Sequence, residues 1–551
     1  MQNMPVNDRI NKSQIIISGG KNKIMTKSKP NQNRRYIYES NNLLNSFDVI
    51  IIGCGIAGIY AALHIDKTKK IALVNKGSEI KSGSSYYAQG GIAAVMTESD
   101  SCDLHIEDTL NAGAGLCNAE AVKVLVNEGP ENIRTLVDLN VPFDVNSEGE
   151  LLFTREGGHT KRRIVHCGGD ATGKETTDRL YNIAKERENI EFFFGTALID
   201  IISGEKENKV SGVILQETET EKIFILGSEN IILATGGIGQ VYNSTTNPKG
   251  AVGDGIAAAY RAGAVIESME MVQFHPTALV PQYESDRLFL ISEAVRGEGG
   301  ILRNRTGEAF MRGVHPMADL APRDIVTRAI YKELLKTGDN FVFIDAGSMT
   351  KDFFIKRFPT IYAECMKFNI DVPVDFIPVS PAQHYQMGGI KTDLYGRTNI
   401  GGLYACGEAA STGIHGGNRL ASNSVLECLV FGRRCALDIN SRKNLSKRQG
   451  VNISRENIIR TAGRKLDLYQ IEGFTKEIRT IMSLYAGAVR KTDGLLFALE
   501  RINRIMDYAD ETDIETFGGA EFYNMTQTAK LVVESALERK ESAGAHHIED
   551  L

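Results

Sequence analysis

The chain has 551 residues, with 63 basic and 69 acidic side chains, a formal net charge of −6 and a pI near 6.0. That length supports two to four domains with a sizeable core, and the charge balance offers no basic field for nucleic acid. No apolar run is long enough to span a membrane, and the eight cysteines contain no CxxC pair, which argues against iron–sulfur or zinc frameworks and fits reduced thiols in a reducing compartment.

Residues 1–46 hold eight Lys/Arg against two acids, plus nine asparagines, without periodicity. They lack the apolar core of a signal peptide and read as a disordered leader, so the folded part is expected to begin near Ser46. "FDVIIIGCGIAGIYAALHI" then predicts a buried parallel strand over Val49–Ile52, a glycine turn, and a helix with Ile59, Tyr60 and Leu63 facing inward. "KIALVNK" (70–76) reads as the second strand of a βαβ unit, and "NIILATGG" (230–237) and "GGLYACGE" (401–408) as further buried strands ending in glycines. Three strand ends of this kind facing one ligand imply an α/β fold, a doubly wound Rossmann-like domain divided by an insertion. The expected organisation is a nucleotide-binding domain of 47–268 plus 386–440, an inserted α+β capping domain of 269–385, a C-terminal helical bundle of 450–540 and a tail of 541–551. In the bundle, Ile478, Ile481, Met482 and Tyr485, and then Leu495, Leu499, Ile502 and Met506, follow helical spacing. The tail's His546 and His547 read as solvated.

Gly53-x-Gly55-x-x-Gly58, enclosing Cys54, Ile56 and Ala57, follows a strand and opens a helix, the context for a pyrophosphate at a helix N-terminus. At the end of the second strand, where a ribose-binding acid is expected, stand Asn75 and Lys76. That leaves either the 2′-phosphate of NADP or an FAD site in which Lys76 contacts the cofactor. Glu408, at a strand end suited to ribityl hydroxyls, and Asp254, opening a helix with a small-residue face, favour FAD. The strip "GSSYYAQGG" (83–91) is then explained. Gly83, Ser84, Ser85, Ala88, Gln89 and Gly90 let backbone N–H groups approach a flavin, with Tyr86 and Tyr87 as walls.

With "YAQGGIAAV", "REGGH", "QFHPTAL", "SEAVRGEGG", "APRD", "HYQMGG" and "GEAASTGIHGGNRLASNSVLE" in this order, residues 47–545 resemble the succinate dehydrogenase/fumarate reductase flavoprotein family, in detail its L-aspartate-oxidising members. The resemblance implies FAD, with Ser424 and Val425 among its contacts. Ser84 stands where membrane-complex members carry the histidine that links the flavin, so noncovalent binding is implied. It implies a carboxylate site of Gln273, His275, Ser292, His384 and Arg419, with Glu156 for the substrate ammonium. A hydride would pass from substrate carbon to flavin N5, giving iminoaspartate, and the electrons would go on to O2 or fumarate.

Arg323 is the implied proton-handling residue and Glu156 the other candidate base; a guanidinium normally keeps its proton below about pH 12, so a crowded, dry site is required. The capping domain is expected to close as a lid. Ala543 replaces an arginine common in that family, removing a salt bridge at the tail. Quinolinate synthase is the implied consumer of the product, and the cytoplasm the implied location. Alternatives are a soluble fumarate reductase or succinate dehydrogenase flavoprotein, a flavin-bearing subunit of a larger complex and, last, an NADP-dependent reductase.

Overall fold

A computed structural model describes residues 43–203, 208–280, 285–442, 464–465, 467–513 and 516–550. Its centre is a five-stranded parallel sheet in the order Leu403–Ala405, Ile231–Leu233, Val49–Ile52, Ile71–Val74, Ile190–Phe193. Both faces are buried, and the two-residue period divides them. Val49, Ile51, Ile71 and Leu73 face one hydrophobic core, and Ile50, Ile52, Ala72 and Val74 the other. The first core is completed by the helices Ile56–His64 and Asn423–Ser441.

The second core is shared with a four-stranded sheet and with three C-terminal helices, Leu468–Tyr485, Thr492–Asp510 and Phe517–Glu538. Ile478, Ile481, Met482, Leu495, Ile502 and Met506 are buried there, with Leu499 and Tyr485 at its edge. The four-stranded sheet begins with Leu43–Ser46, paired parallel to Ile223–Gly227. The described strand Leu43–Ser46 thus falls within the segment expected to be a leader; residues 1–42 of that leader, and 450–463 of the expected bundle, lie outside the described residues.

Between the halves of the nucleotide domain, an antiparallel sheet runs in the order Val272–Leu279, Ile377–Gln386, Val342–Asp345, Ile301–Arg303. It has its own apolar core with the helix Arg323–Thr337. The cap is seated by a contact across the boundary, where Asp170 accepts backbone N–H groups of Thr360 (3.0 Å) and Ile361 (2.9 Å) in the first turn of the helix Pro359–Lys367. The architecture is α/β: a doubly wound Rossmann-like fold split by an α+β cap, with helices at the C-terminus.

The tail differs from expectation at His546, which is fully buried. Its Nδ1 lies 2.7 Å from Arg490 Nη1 and its Nε2 3.1 Å from the carbonyl of Arg539. These backbone and guanidinium partners hold the tail without a charge at Ala543, which instead exchanges backbone hydrogen bonds with His546.

Candidate active site

The site lies where the strands Val49–Ile52, Ile231–Leu233 and Leu403–Ala405 end, under the cap, in a cavity of about 690 Å³. One end is built mainly of backbone. Gly53 has φ of +114°, and a Cβ there would overlap the carbonyl of Ala234; a Cβ on Gly58 would overlap the carbonyl of Gly53. Strand and helix can cross this closely only with glycine at both positions. The helix Ile56–His64 opens at Gly55 with no side-chain cap and no acid in its first turn, so its positive end faces the cavity uncompensated.

Lys76 lies at this end, 2.7 Å from Asp254 Oδ2, 3.1 Å from the carbonyl of Gly250 and paired with Glu521. Two acids beside Lys76 disfavour the extra phosphate of NADP. Asn75 is committed to its own loop, donating to the carbonyls of Gly77 and Glu79. Further along, Gly83, Ser84, Ser85, Tyr87, Ala88, Gln89 and Gly90 line the wall opposite Glu408, Ser424 and Val425. The buried oxygens Gln89 Oε1 and Thr235 Oγ1 have no protein partner, and both residues line the cavity. Burial pushes the Glu408 carboxyl up to about 7, only partly offset by the backbone N–H of Gln386 at 2.9 Å. A glycine cradle at a helix start, orphaned acceptors and a buried carboxylate fit a dinucleotide whose ring and ribityl chain donate hydrogen bonds.

The other end is built of charged side chains from distant segments. Arg323 opens its helix within the cap and donates from Nε to Glu293 (2.6 Å) and from Nη1 to Gln273 (3.0 Å). Arg419, from the loop after Gly416, donates to Ser424 Oγ (2.9 Å) and lies 4.4 Å over the Tyr385 ring. Burial and then the neighbouring Arg323 lower Arg419 to about 10. Burial, followed by these arginines, also holds His275 and His384 well below the usual histidine range, so both imidazoles are neutral. Thr277 donates its backbone N–H to His275 Nδ1 (3.2 Å), which places the proton on Nε2, a buried atom with no protein partner on a residue that faces the cavity.

Glu156 is one of two acids at this end. Ser422 donates to it at 2.7 Å, while burial and the nearby Glu293 raise its carboxyl above the usual range. Ser292 lines the same end and caps a short helix through Ala294 N (3.3 Å).

Of the residues expected at the site, Gly53, Cys54, Gly55, Ala57, Lys76, Asp254, Glu156, His275, Ser292, Arg323, His384, Glu408 and Arg419 line the cavity together with the two wall segments. Four do not. Ile56 is core and offers only its N–H, to Ser85 Oγ (3.1 Å). Gly58 serves the crossing. Tyr86 meets Tyr87 edge-on, outside the lining. Gln273 lies one layer below, holding Asn418 and the carbonyl of Arg419 at 2.9 Å each.

Sequence reasoning missed Glu293, Arg296, Ser422 and Tyr385. Glu293 joins the two cap arginines, with Oε1 3.2 Å from Arg296 Nη2. Burial pushes its carboxyl up, but Arg323 and Arg296 outweigh that and hold it below the usual range. The i, i+3 spacing of Glu293 and Arg296 beside Ser292 was the available signal.

A family model described as FAD binding domain matches residues 48–425, and one described as fumarate reductase flavoprotein C-term matches 475–551. The chain is 40% identical to the chloroplastic L-aspartate oxidase of Oryza sativa, over 92% of this chain and 81% of that one. It is also 40% identical to the L-aspartate oxidase of Yersinia pestis, over 91% and 96%. Among solved structures, a quinol fumarate reductase chain of E. coli aligns with a TM-score of 0.81 at 27% identity, over 92% of each chain. A chain of the Mycobacterium smegmatis Sdh1 complex aligns with a TM-score of 0.75 at 29% identity, over 92% of this chain and 90% of that one. The glycine crossing, the acid among the arginines and relatives matched over nearly their whole length agree: the chain belongs to the L-aspartate oxidase family.

Proposed function

We propose that this chain oxidises L-aspartate to iminoaspartate with noncovalently bound FAD, the first step of NAD synthesis from aspartate. Glu156, buried at the cavity end it shares with Arg323, Arg419, His275 and His384, is the observation that carries the reading. A plain dicarboxylate has no use for an acid there, whereas an α-ammonium does. Gly53, Gly55 and the helix start would hold the cofactor's pyrophosphate; the 83–90 wall, Glu408, Ser424 and Val425 would hold its flavin half. When bound, FAD would supply the acceptor for the substrate's hydride at N5, with O2 (giving H2O2) or fumarate (giving succinate) as the onward electron acceptor.

Arg419, His384 and His275 bind the substrate carboxylates as cation and neutral donors, with Ser292 as a hydroxyl donor. Glu156, kept by Ser422 in one orientation, ionises against the ammonium. Substrate loses a hydride from its α-carbon and a proton from nitrogen, and Arg323 takes that proton. As Arg323 gains it, the Nε proton passes to Glu293 at 2.6 Å, so no neutral guanidine has to persist. Glu293 leads to Arg296, and Arg296 donates to the carbonyl of half-buried Asp319, which supplies a route out of the dry site. Glu156 is the other candidate base. Closure of the cap brings Arg323 to Arg419 and excludes water; a crosslink that holds the cap open without loss of turnover would remove this step.

We also assign the product to quinolinate synthase and the enzyme to the cytoplasm. All eight cysteines are free, and no helix among the described residues is long and apolar enough to cross a membrane. The test is anaerobic. Flavin released by acid denaturation and bleached by L-aspartate, but not by succinate or D-aspartate, supports the reading. Bleaching by succinate alone moves the chain to the dicarboxylate dehydrogenases.

A further inference from the structure

The two arginines of the substrate end come from different parts of the fold, and one short segment touches the supports of both. Arg419 lies two residues after Gly417, whose carbonyl accepts the backbone N–H of Ala545 at 2.8 Å. Arg323 lies five residues before Arg328 on the same helix, and Arg328 Nη1 donates to the carbonyl of Gly544 at 2.8 Å. Arg328 is itself held by Asp324 at 2.8 Å, so the contact reports on the first turn of the helix that presents Arg323. Ala545 is buried in a small apolar cluster with Met271, Tyr385 and Met387. Tyr385 is the ring under Arg419, and Met387 Sδ lies 3.2 Å from the backbone N of Arg419.

The segment is anchored on a third body. His546 meets Arg490, whose backbone pairs with the tail on both sides, to the carbonyl of His547 and from the N–H of Glu549. Gly544 is required by this path. Its φ is +54°, and a Cβ on it would overlap the carbonyl of Gly417.

We infer that residues 543–549 form a positioning strap that fixes Arg419 of the nucleotide domain relative to Arg323 of the cap. The strap touches neither substrate nor cofactor. It acts by joining the loop before Arg419 to the helix behind Arg323, a spacing that any dicarboxylate bridging both arginines has to match. The role rests on the two arginines acting in substrate binding and proton transfer, as proposed above.

The test compares three flavin-loaded proteins with the unaltered chain: R328Q, G544V and a chain ending at Glu541. Steady-state kcat and KM for L-aspartate are read beside flavin content. A loosened spacing raises KM or lowers kcat/KM by roughly tenfold to a hundredfold while flavin content stays at the unaltered level. A synthetic peptide of residues 542–551 added to the shortened chain restores kcat/KM. A shortened chain that keeps flavin and turns over with unaltered constants overturns the inference. So do unaltered constants in both R328Q and G544V, which decide the matter if the shortened chain does not keep flavin. If the unaltered chain oxidises succinate and not L-aspartate, the substrate reading fails separately, and the strap is judged by the same comparison with succinate.

Discussion

The two ends of the cavity are built on opposite principles. The cofactor end consists of backbone and small side chains from a few contiguous motifs, and its central requirement is steric. The substrate end consists of charged and polar side chains brought together from residues 156, 275, 293, 323, 384 and 419, and its requirement is electrostatic. A glycine crossing can be written into one short stretch of chain, because only the atoms within a turn or two decide it. A cluster of arginines that must also remain desolvated needs counter-charges, and Glu293 and Glu156 arrive from segments far apart in sequence. One end is therefore rigid and specified locally; the other is poised and specified only by the assembled fold.

If that division is right, damage at one end should leave the other readable. The largest effect is expected from Arg323→Leu. It removes the proposed proton acceptor and the partner of Glu293, and is expected to lower kcat for L-aspartate by roughly a thousandfold with flavin content intact, read by stopped-flow bleaching and absorbance. Loss of flavin in that variant would break the comparison.

Gly58→Val should do the reverse. Overpacking against the carbonyl of Gly53 costs about 1–3 kcal/mol and removes the yellow colour, whatever the substrate residues do. Glu156→Gln should lower kcat/KM for L-aspartate by about ten- to a hundredfold while sparing fumarate reduction, since the expected loss is one charge-assisted contact of about 1.5–3 kcal/mol. Equal losses on both substrates would remove the ammonium role.

The smallest effect concerns pH: His159 bonds the carbonyl of Ala421 beside the substrate end, and His546 sits buried in the tail. Burial, and then Arg490 for His546 and Arg163 for His159, lower both imidazoles to about 4 from 6.5. The unfolded chain binds these protons first, so their contribution to stability is complete above pH 6.5 and is lost as pH falls from 6.5 toward 4. The thermal midpoint should fall across that window, and His546→Asn should flatten the slope.

Much of the cofactor end was legible from the residues alone. The strand Val49–Ile52 is apolar at every position because both sheet faces are covered, and the glycine spacing at 53, 55 and 58 has one steric explanation. At the substrate end, motif resemblance supplied the residues that line the cavity, while composition and spacing did not. Gln273 was expected at the surface of the site but lies beneath it, its amide spent on Asn418, the carbonyl of Arg419 and Arg323 next to an irregularity in the strand at Gln273–Phe274. Glu293 was overlooked because an acid in a helix start reads as a capping charge until its two arginine partners are seen. The tail was misread at His546 because nothing local marks that residue of an exposed-looking His-His pair as buried when its partners, Arg490 and Arg539, belong to other helices and turns.

The sequence by itself determined the strand–glycine–helix crossing, the apolar periodicity of the C-terminal helices and the absence of a histidine at position 84. Each depends on neighbours within a few residues or on simple chemical identity. Only the tertiary structure decided the contacts that join Arg323 to Glu293 and Glu293 to Arg296, the burial of His275 and His384, and the contacts of the tail with the supports of Arg419 and Arg323. Those follow from desolvation and from contacts across hundreds of residues, which no local pattern of side chains encodes.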